Sequence, residues 1–262
     1  MFHVKRYANS ISQGINNRNV SIGAEKLKNG AETMGVALSA EQVGKLLSYC
    51  DMLIEANKHM NLTAIDDPET VITHHFLDSL APLAVQETAK KLQIPGKTLI
   101  DVGTGSGFPG LPLAIAVPEL QVTLLDSLNK RVNFLETVIA ELNLKNAKTI
   151  CGRAEDMAKT TEMRENFDFA VSRAVAGLSV LCEYDLPFVK EGGTFLAYKG
   201  KEAQEEVRNA TNALEILGGK ATIEPYNIPE TELEHVLVVV EKIAGTPEKY
   251  PRRAGIPSKR PL

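Results

Sequence analysis

The stretch LIDVGTGSGFPGLPLAIA, residues 99–116, reads as an apolar strand, a glycine-rich turn and a helix in direct succession. The strand closes on Asp101 and Val102, and Pro109 stands where a first helical turn favours proline. Gly103, Gly105 and Gly107 can take positive φ and let the backbone approach a ligand with no Cβ in the way. The helix start beyond them offers free N–H groups and a partial positive charge. Such a turn, at the carboxyl end of the first strand of an open α/β sheet, is a ligand loop.

Outward from that loop, apolar strand-like runs recur at 122–125, 149–151, 167–171, 194–198, 221–223 and 236–240. Helical stretches lie between them at 129–142, 154–163, 178–188 and 201–217. This alternation predicts an α/β fold, doubly wound, with parallel strands and right-handed crossovers. A polar connection holding Pro225 and Pro229, without helical period, joins the last two of the seven runs. A hairpin is expected there, hence one antiparallel strand. Upstream, Ser39 and Gln42 have capping-box spacing, and Val43, Leu46, Leu47, Cys50, Leu53 and Ile54 share one helical face. Two more helices are expected at 68–80 and 82–92. The organisation is therefore a small N-terminal helical lead-in over 31–95, an α/β domain over 96–243 and a basic tail over 244–262. Residues 1–30 are polar and lack sustained periodicity, so they are expected to be mobile or foreign to the fold.

The three cysteines, none in a CxxC pair, give neither a disulfide framework nor zinc-site spacing. The start, MFHVKRYANS, has no apolar signal core, and the longest uncharged run, 102–118, is too short to span a bilayer. A monomeric cytoplasmic protein without membrane or metal is expected. The net charge of −4 is unevenly spread: residues 1–30 carry +4, residues 242–262 carry +5, and the middle holds −13. An acidic body with basic ends suits a polyanionic partner, while solubility alone also favours basic tails.

Gly105 to Gly110 satisfies GxGxxG, and Asp126 lies 21 residues past Gly105. Two cofactors fit this pattern. A dinucleotide would need the loop to cradle its pyrophosphate. A nucleoside sulfonium has no phosphate, and Asp101 would suit its cationic amino acid part. Asp126, closing the second strand, can bind ribose hydroxyls in either.

With LLDSLNKR (124–131), GRAEDM (152–157) and SRAV (172–175) following DVGTGSGFPG, the chain closely resembles the RsmG (GidB) family. NLTAI (61–65), HHFLDSL (74–80), YKG (198–200) and the ending YPRRAGIPSKRPL (250–262) extend the likeness over roughly residues 36–262. The resemblance implies a seven-stranded, Rossmann-like methyltransferase sheet and S-adenosylmethionine as cofactor. It implies methyl transfer to N7 of a guanine in 16S ribosomal RNA of the small ribosomal subunit. It also implies donor contacts from Gly103 and Phe108, a turn shaped by Gly105 and Gly107, and a ribose-binding Asp126. Ala154 and Glu155 would stand beside the adenine, and Arg173 would face the reaction pocket.

The residues themselves exclude several chemistries. No cysteine follows proline, as pyrimidine C5 methylation commonly needs; Tyr49, Ile150 and Leu181 precede the three. Exocyclic-amine methylation usually carries Asn/Asp-Pro-Pro-aromatic after the fourth strand, where Ser172-Arg173-Ala174-Val175 stands here. No tyrosine has the Lys four residues on that a short-chain dehydrogenase would need. Guanine N7 carries an in-plane lone pair and no proton, so its methylation needs orientation rather than a base. Arg173 would then serve guanine O6, a phosphate or the donor carboxylate. The alternatives are an NAD-linked oxidoreductase and a non-catalytic, ribosome-associated nucleoside-binding protein.

Lys199, after the fifth strand, is either an RNA contact or an exposed strand end. Lys249, Arg252, Arg253, Lys259 and Arg260 are expected on RNA phosphates, with the tail separable from the donor site. At most one of His74 and His75 faces the sheet. Asp78 and His75 either support the donor pocket or act as capping and core-edge groups.

Overall fold

The computed structural model describes residues 17–231 and 235–262. Seven strands form one sheet: β1 (Thr98–Val102), β2 (Gln121–Asp126), β3 (Ala147–Cys151), β4 (Phe167–Arg173), β5 (Val189–Lys199), β6 (Gly219–Tyr226) and β7 (His235–Lys242). Their order is β3-β2-β1-β4-β5-β7-β6. Neighbours pair in parallel except β7, which runs antiparallel to both β5 and β6. The doubly wound sheet and its closing hairpin are as expected.

Strand alternation sends successive side chains to opposite faces, and two buried clusters result. Leu99, Phe169, Leu196 and Leu237 enter one; their chain neighbours Ile100, Ala170, Ala197 and Val238 enter the other. The first face is covered by the lead-in with α6 (Gly110–Ala116) and α7 (Asn129–Glu141). The second carries α9 (Leu178–Asp185), α10 (Ala203–Asn209) and α11 (Thr211–Leu217). Strand order reverses between β1 and β4, which opens a crevice at their carboxyl ends.

The lead-in begins earlier than expected. Residues 1–16 lie outside the described residues, but α1 (Asn17–Thr33) is a helix, which corrects the reading of 17–30 as foreign to the fold. Leu27, Ala31 and Met34 recur at helical spacing and are buried in the core. A boundary placed at residue 30 cuts that stripe in two. Next, α2 (Ala40–Met60) starts at Ser39 with the full capping box. The helix expected at 68–80 is α3 (Pro68–Val71) widening into a π-helical segment, Ile72–Leu77. The one expected at 82–92 is split by extended backbone at Val85 into α4 (Ala81–Ala84) and α5 (Gln86–Leu92).

The basic tail is folded onto the body. Arg164 donates to the carbonyls of Thr246 (2.7 Å), Tyr250 (2.9 Å) and Pro247 (3.3 Å). Tyr250 and Pro257 are buried, the latter in α12 (Ile256–Lys259).

Candidate functional site

The crevice holds a cleft of about 620 Å³ lined by the loops after β1, β2, β3 and β4 and by two lead-in segments. Its floor is the glycine turn. Asp101 sits beneath, fully buried, its Oδ2 accepting from Thr104 Oγ1 and the Gly110 N–H, both at 2.7 Å. Burial pushes its pKa up to about 6 despite these donors, and its Oδ1 has no partner. Asp101 does not line the cleft, so its expected role toward a cationic ligand is corrected: it pins the turn to the start of α6.

Gly107 also faces away from the cleft. A Cβ on it would meet Tyr49 Oη at 2.5 Å and Leu111 Cδ1 at 2.7 Å, so this glycine is demanded by packing. Gly105 is the opposite case. At φ +63 its absent Cβ would meet nothing nearer than the Gly103 carbonyl at 3.9 Å, and its N–H bonds Asp126 Oδ2 at 3.0 Å. The backbone there lies bare to the cleft.

Asp126, at the end of β2, also accepts from the Leu128 N–H (2.8 Å) and Arg131 (3.3 Å). After β3, Ala154 and Glu155 line the wall at the start of α8 (Ala154–Met157), and Glu155 Oε1 accepts from the Gly255 N–H at 3.1 Å. The folded tail therefore buttresses this wall and is not separable from it, contrary to expectation.

Arg173 closes β4. Its Nη1 donates to Asp78 Oδ2 at 2.6 Å and to the His74 carbonyl at 3.2 Å, while Nη2 lies 3.3 Å from His75 Nδ1. Its Cζ stands 5.2 Å from the centroid of Phe108, on whose ring His75 stacks at 4.5 Å. Since Arg173 can only donate, His75 Nδ1 accepts and Nε2 donates to Thr63 Oγ1 at 2.9 Å. Burial, with Arg173 alongside, pulls the His75 pKa down to about 4, so the imidazole is neutral. Ala174 follows at φ +55, a backbone conformation uncommon for a residue with Cβ.

Two expected RNA contacts are internal braces instead. Lys199 Nζ donates to the Ala176 carbonyl (2.8 Å) and Glu206 (2.7 Å), and its side chain is 8% exposed. Lys199→Met is expected to lower stability by about 1–3 kcal/mol, while leaving the salt dependence of RNA binding unchanged; denaturation and a salt titration read the two. Arg252 binds the fully buried Glu183 through its backbone N–H, Nε and Nη2. Arg253, Lys259, Arg260 and Lys249 are exposed.

Gly103, Gly105, Phe108, Asp126, Ala154, Glu155 and Arg173 thus gather around one cleft. Residue reasoning missed Leu62, Thr63, Arg131, Arg153 and Val175 in its lining. Thr63 lies within NLTAI, which carried the family likeness without a role for it, while His75, read as a pocket support or a capping group, does line the cleft. Among the described residues, no group of three or more His, Cys, Asp or Glu is placed to hold a metal ion.

The family rRNA small subunit methyltransferase G (GidB) matches residues 42–234. Proteins named ribosomal RNA small subunit methyltransferase G are similar over nearly all of their own length. That of Clostridium beijerinckii is 52% identical over 237 residues, 90% of this chain and 97% of the relative. Those of Alkaliphilus metalliredigens (48%; 90% and 97%) and Acetivibrio thermocellus (49%; 89% and 94%) match comparably.

Proposed function

The chain belongs to the rRNA small subunit methyltransferase G family and is an S-adenosylmethionine-dependent rRNA methyltransferase; from this premise we propose that it methylates N7 of a guanine in 16S rRNA of the small ribosomal subunit. The oxidoreductase and the non-catalytic binding protein find no support in that membership.

The cleft's own features fit the cofactor. Gly105 leaves open space where a side chain would stand, and Asp126, Ala154 and Glu155 line the wall beside it. Gly103, Gly105, Phe108, Asp126, Ala154 and Glu155 would hold the donor. When bound, S-adenosylmethionine supplies an electrophilic methyl group.

One observation carries the choice of N7: the titratable side chains bonded to Arg173, Asp78 and His75, are each engaged by further partners. Both His75 nitrogens are engaged and the ring is neutral. Burial, with Glu155 beside it, holds the Tyr184 phenol above its usual pKa. Cys50 and Cys182 are buried elsewhere, and no cysteine lines the cleft. Such a site can orient an acceptor and exclude water, and guanine N7 asks no more. Arg173, which cannot bond N7 while N7 attacks, would hold O6, a flanking phosphate or the donor carboxylate. Arg173→Ala is expected to slow methyl transfer at least about tenfold, or 1.4 kcal/mol of barrier. Unchanged rates together with unchanged donor affinity would remove it from the site.

The RNA would be met by exposed cations. Arg153 lies on the cleft rim, and Gly255 ties the tail segment bearing Arg253, Lys259 and Arg260 to the same wall. Replacing Arg253, Lys259 and Arg260 with alanine is expected to flatten the salt dependence of RNA binding by about 0.7–0.9 log units for each phosphate no longer neutralised. An unchanged slope would show these side chains to be merely solvated. An rRNA substrate supports a cytoplasmic location, and no helix among the described residues is long and apolar enough to cross a membrane.

A further inference from the structure

We propose that Asp78 is a positioning residue of the reaction, acting through Arg173: its carboxylate holds the guanidinium over Phe108 so that the remaining N–H groups are presented to the substrate. The inference rests on the reading of the cleft as the methyl-transfer site. Asp78 lies outside the cleft lining, on the lead-in, 95 residues from Arg173 along the chain. The two meet at 2.6 Å with side chains only 9% and 13% exposed. Burying such a pair brings little net stability, because both charges lose their water. Its geometry, in contrast, is fixed from several sides. Asp78 Oδ1 accepts from Tyr226 Oη at 2.6 Å and faces His235 Nδ1 at 3.4 Å, so β6 and β7 hold the carboxylate from behind.

On the cleft side, Asp78 and the His74 carbonyl take both Nη1 hydrogens, and His75 Nδ1 takes one from Nη2. Three of the five guanidinium N–H groups are thereby bound to one short segment. Among the described residues, no acceptor is bonded to Nε or to the second Nη2 hydrogen, in a residue that lines the cleft. The segment that collects these acceptors includes the π-helical turn, Ile72–Leu77, a backbone irregularity frequent at functional sites. An arginine held at one end with two donors spare is oriented for a planar or anionic acceptor. Guanine O6 and a phosphate oxygen both qualify.

The test is a double-mutant cycle on methyl transfer to small subunits, using Arg173→Ala, Asp78→Asn and the two combined, with S-adenosylhomocysteine affinity read in parallel. Asp78→Asn is expected to lower kcat about tenfold with donor affinity little changed, and the double variant to be no slower than Arg173→Ala alone. A structural role would instead multiply the two losses. Multiplied losses, a wild-type kcat in folded Asp78→Asn, or full activity in Arg173→Ala would each overturn the proposal. Should Asp78→Asn not fold, Tyr226→Phe loosens the same carboxylate without changing charge. It is expected to cost about threefold in kcat on the same non-multiplying pattern, and multiplied losses or no loss would overturn the proposal equally. Methylation at an atom other than N7 would overturn the wider reading while leaving the cycle readable.

Discussion

Arg252→Ala is expected to lower the stability of the protein by about 3 kcal/mol or more. Glu183 is fully buried on α9, and Arg252 supplies its bonds through Nε, Nη2 and the backbone N–H. Alanine keeps only the backbone donor. A buried carboxylate would then face a low-dielectric surrounding with most of its compensation removed, and that penalty exceeds the worth of the intact pair. Thermal unfolding should show a midpoint lowered by roughly 6–12 °C for a chain of this size. Arg252→Ala combined with Glu183→Gln should recover part of the loss, because no charge is left stranded. Donor affinity should weaken as well, since Gly255 bonds the cleft wall at Glu155 from the same segment. A shift of less than about 0.5 kcal/mol, the scale of an ordinary surface change, would place Arg252 among the solvated cations of the tail.

Gly105→Val is expected to weaken donor binding at least about a hundredfold, some 2.7 kcal/mol, in a protein that still folds. At φ +63 a β-branched residue is strained by about 1–2 kcal/mol. The strain acts on the turn that Asp126 fixes through the Gly105 N–H. More important, the new side chain would project into the open space above the glycine backbone, where nothing but the Gly103 carbonyl comes within 4 Å. The core clusters do not include this position, so the sheet and its midpoint should change little. Titration with S-adenosylhomocysteine reads the effect. Wild-type affinity in a folded Gly105→Val protein would sink the assignment of this turn to the donor.

The sheet was legible because its signal is local: each strand is a short apolar run, and a polar connection announced the hairpin. The glycine turn was equally plain, but the roles within it were not. Asp101 and Asp126 both close strands, and only packing shows the first under the turn and the second on the cleft. Gly103, Gly105 and Gly107 look alike in sequence, yet Gly107 serves Tyr49 and Leu111. Charge was the poorest guide. Lys199 and Arg252 read as RNA contacts because cations usually face solvent, and their acceptors lie 7 and 69 residues away along the chain. The lead-in's part was half legible: Asp78 and His75 read either as pocket supports or as capping groups, and only folding brings both onto Arg173, 95 and 98 residues away.

The most direct measurement is mass mapping of 16S rRNA after unmodified small subunits are incubated with the protein and S-adenosylmethionine. A single added methyl group, on one guanine and at N7, is the expected product, absent when Gly105→Val replaces the wild-type chain. A methyl group on an exocyclic amine, a pyrimidine carbon or a ribose would contradict it.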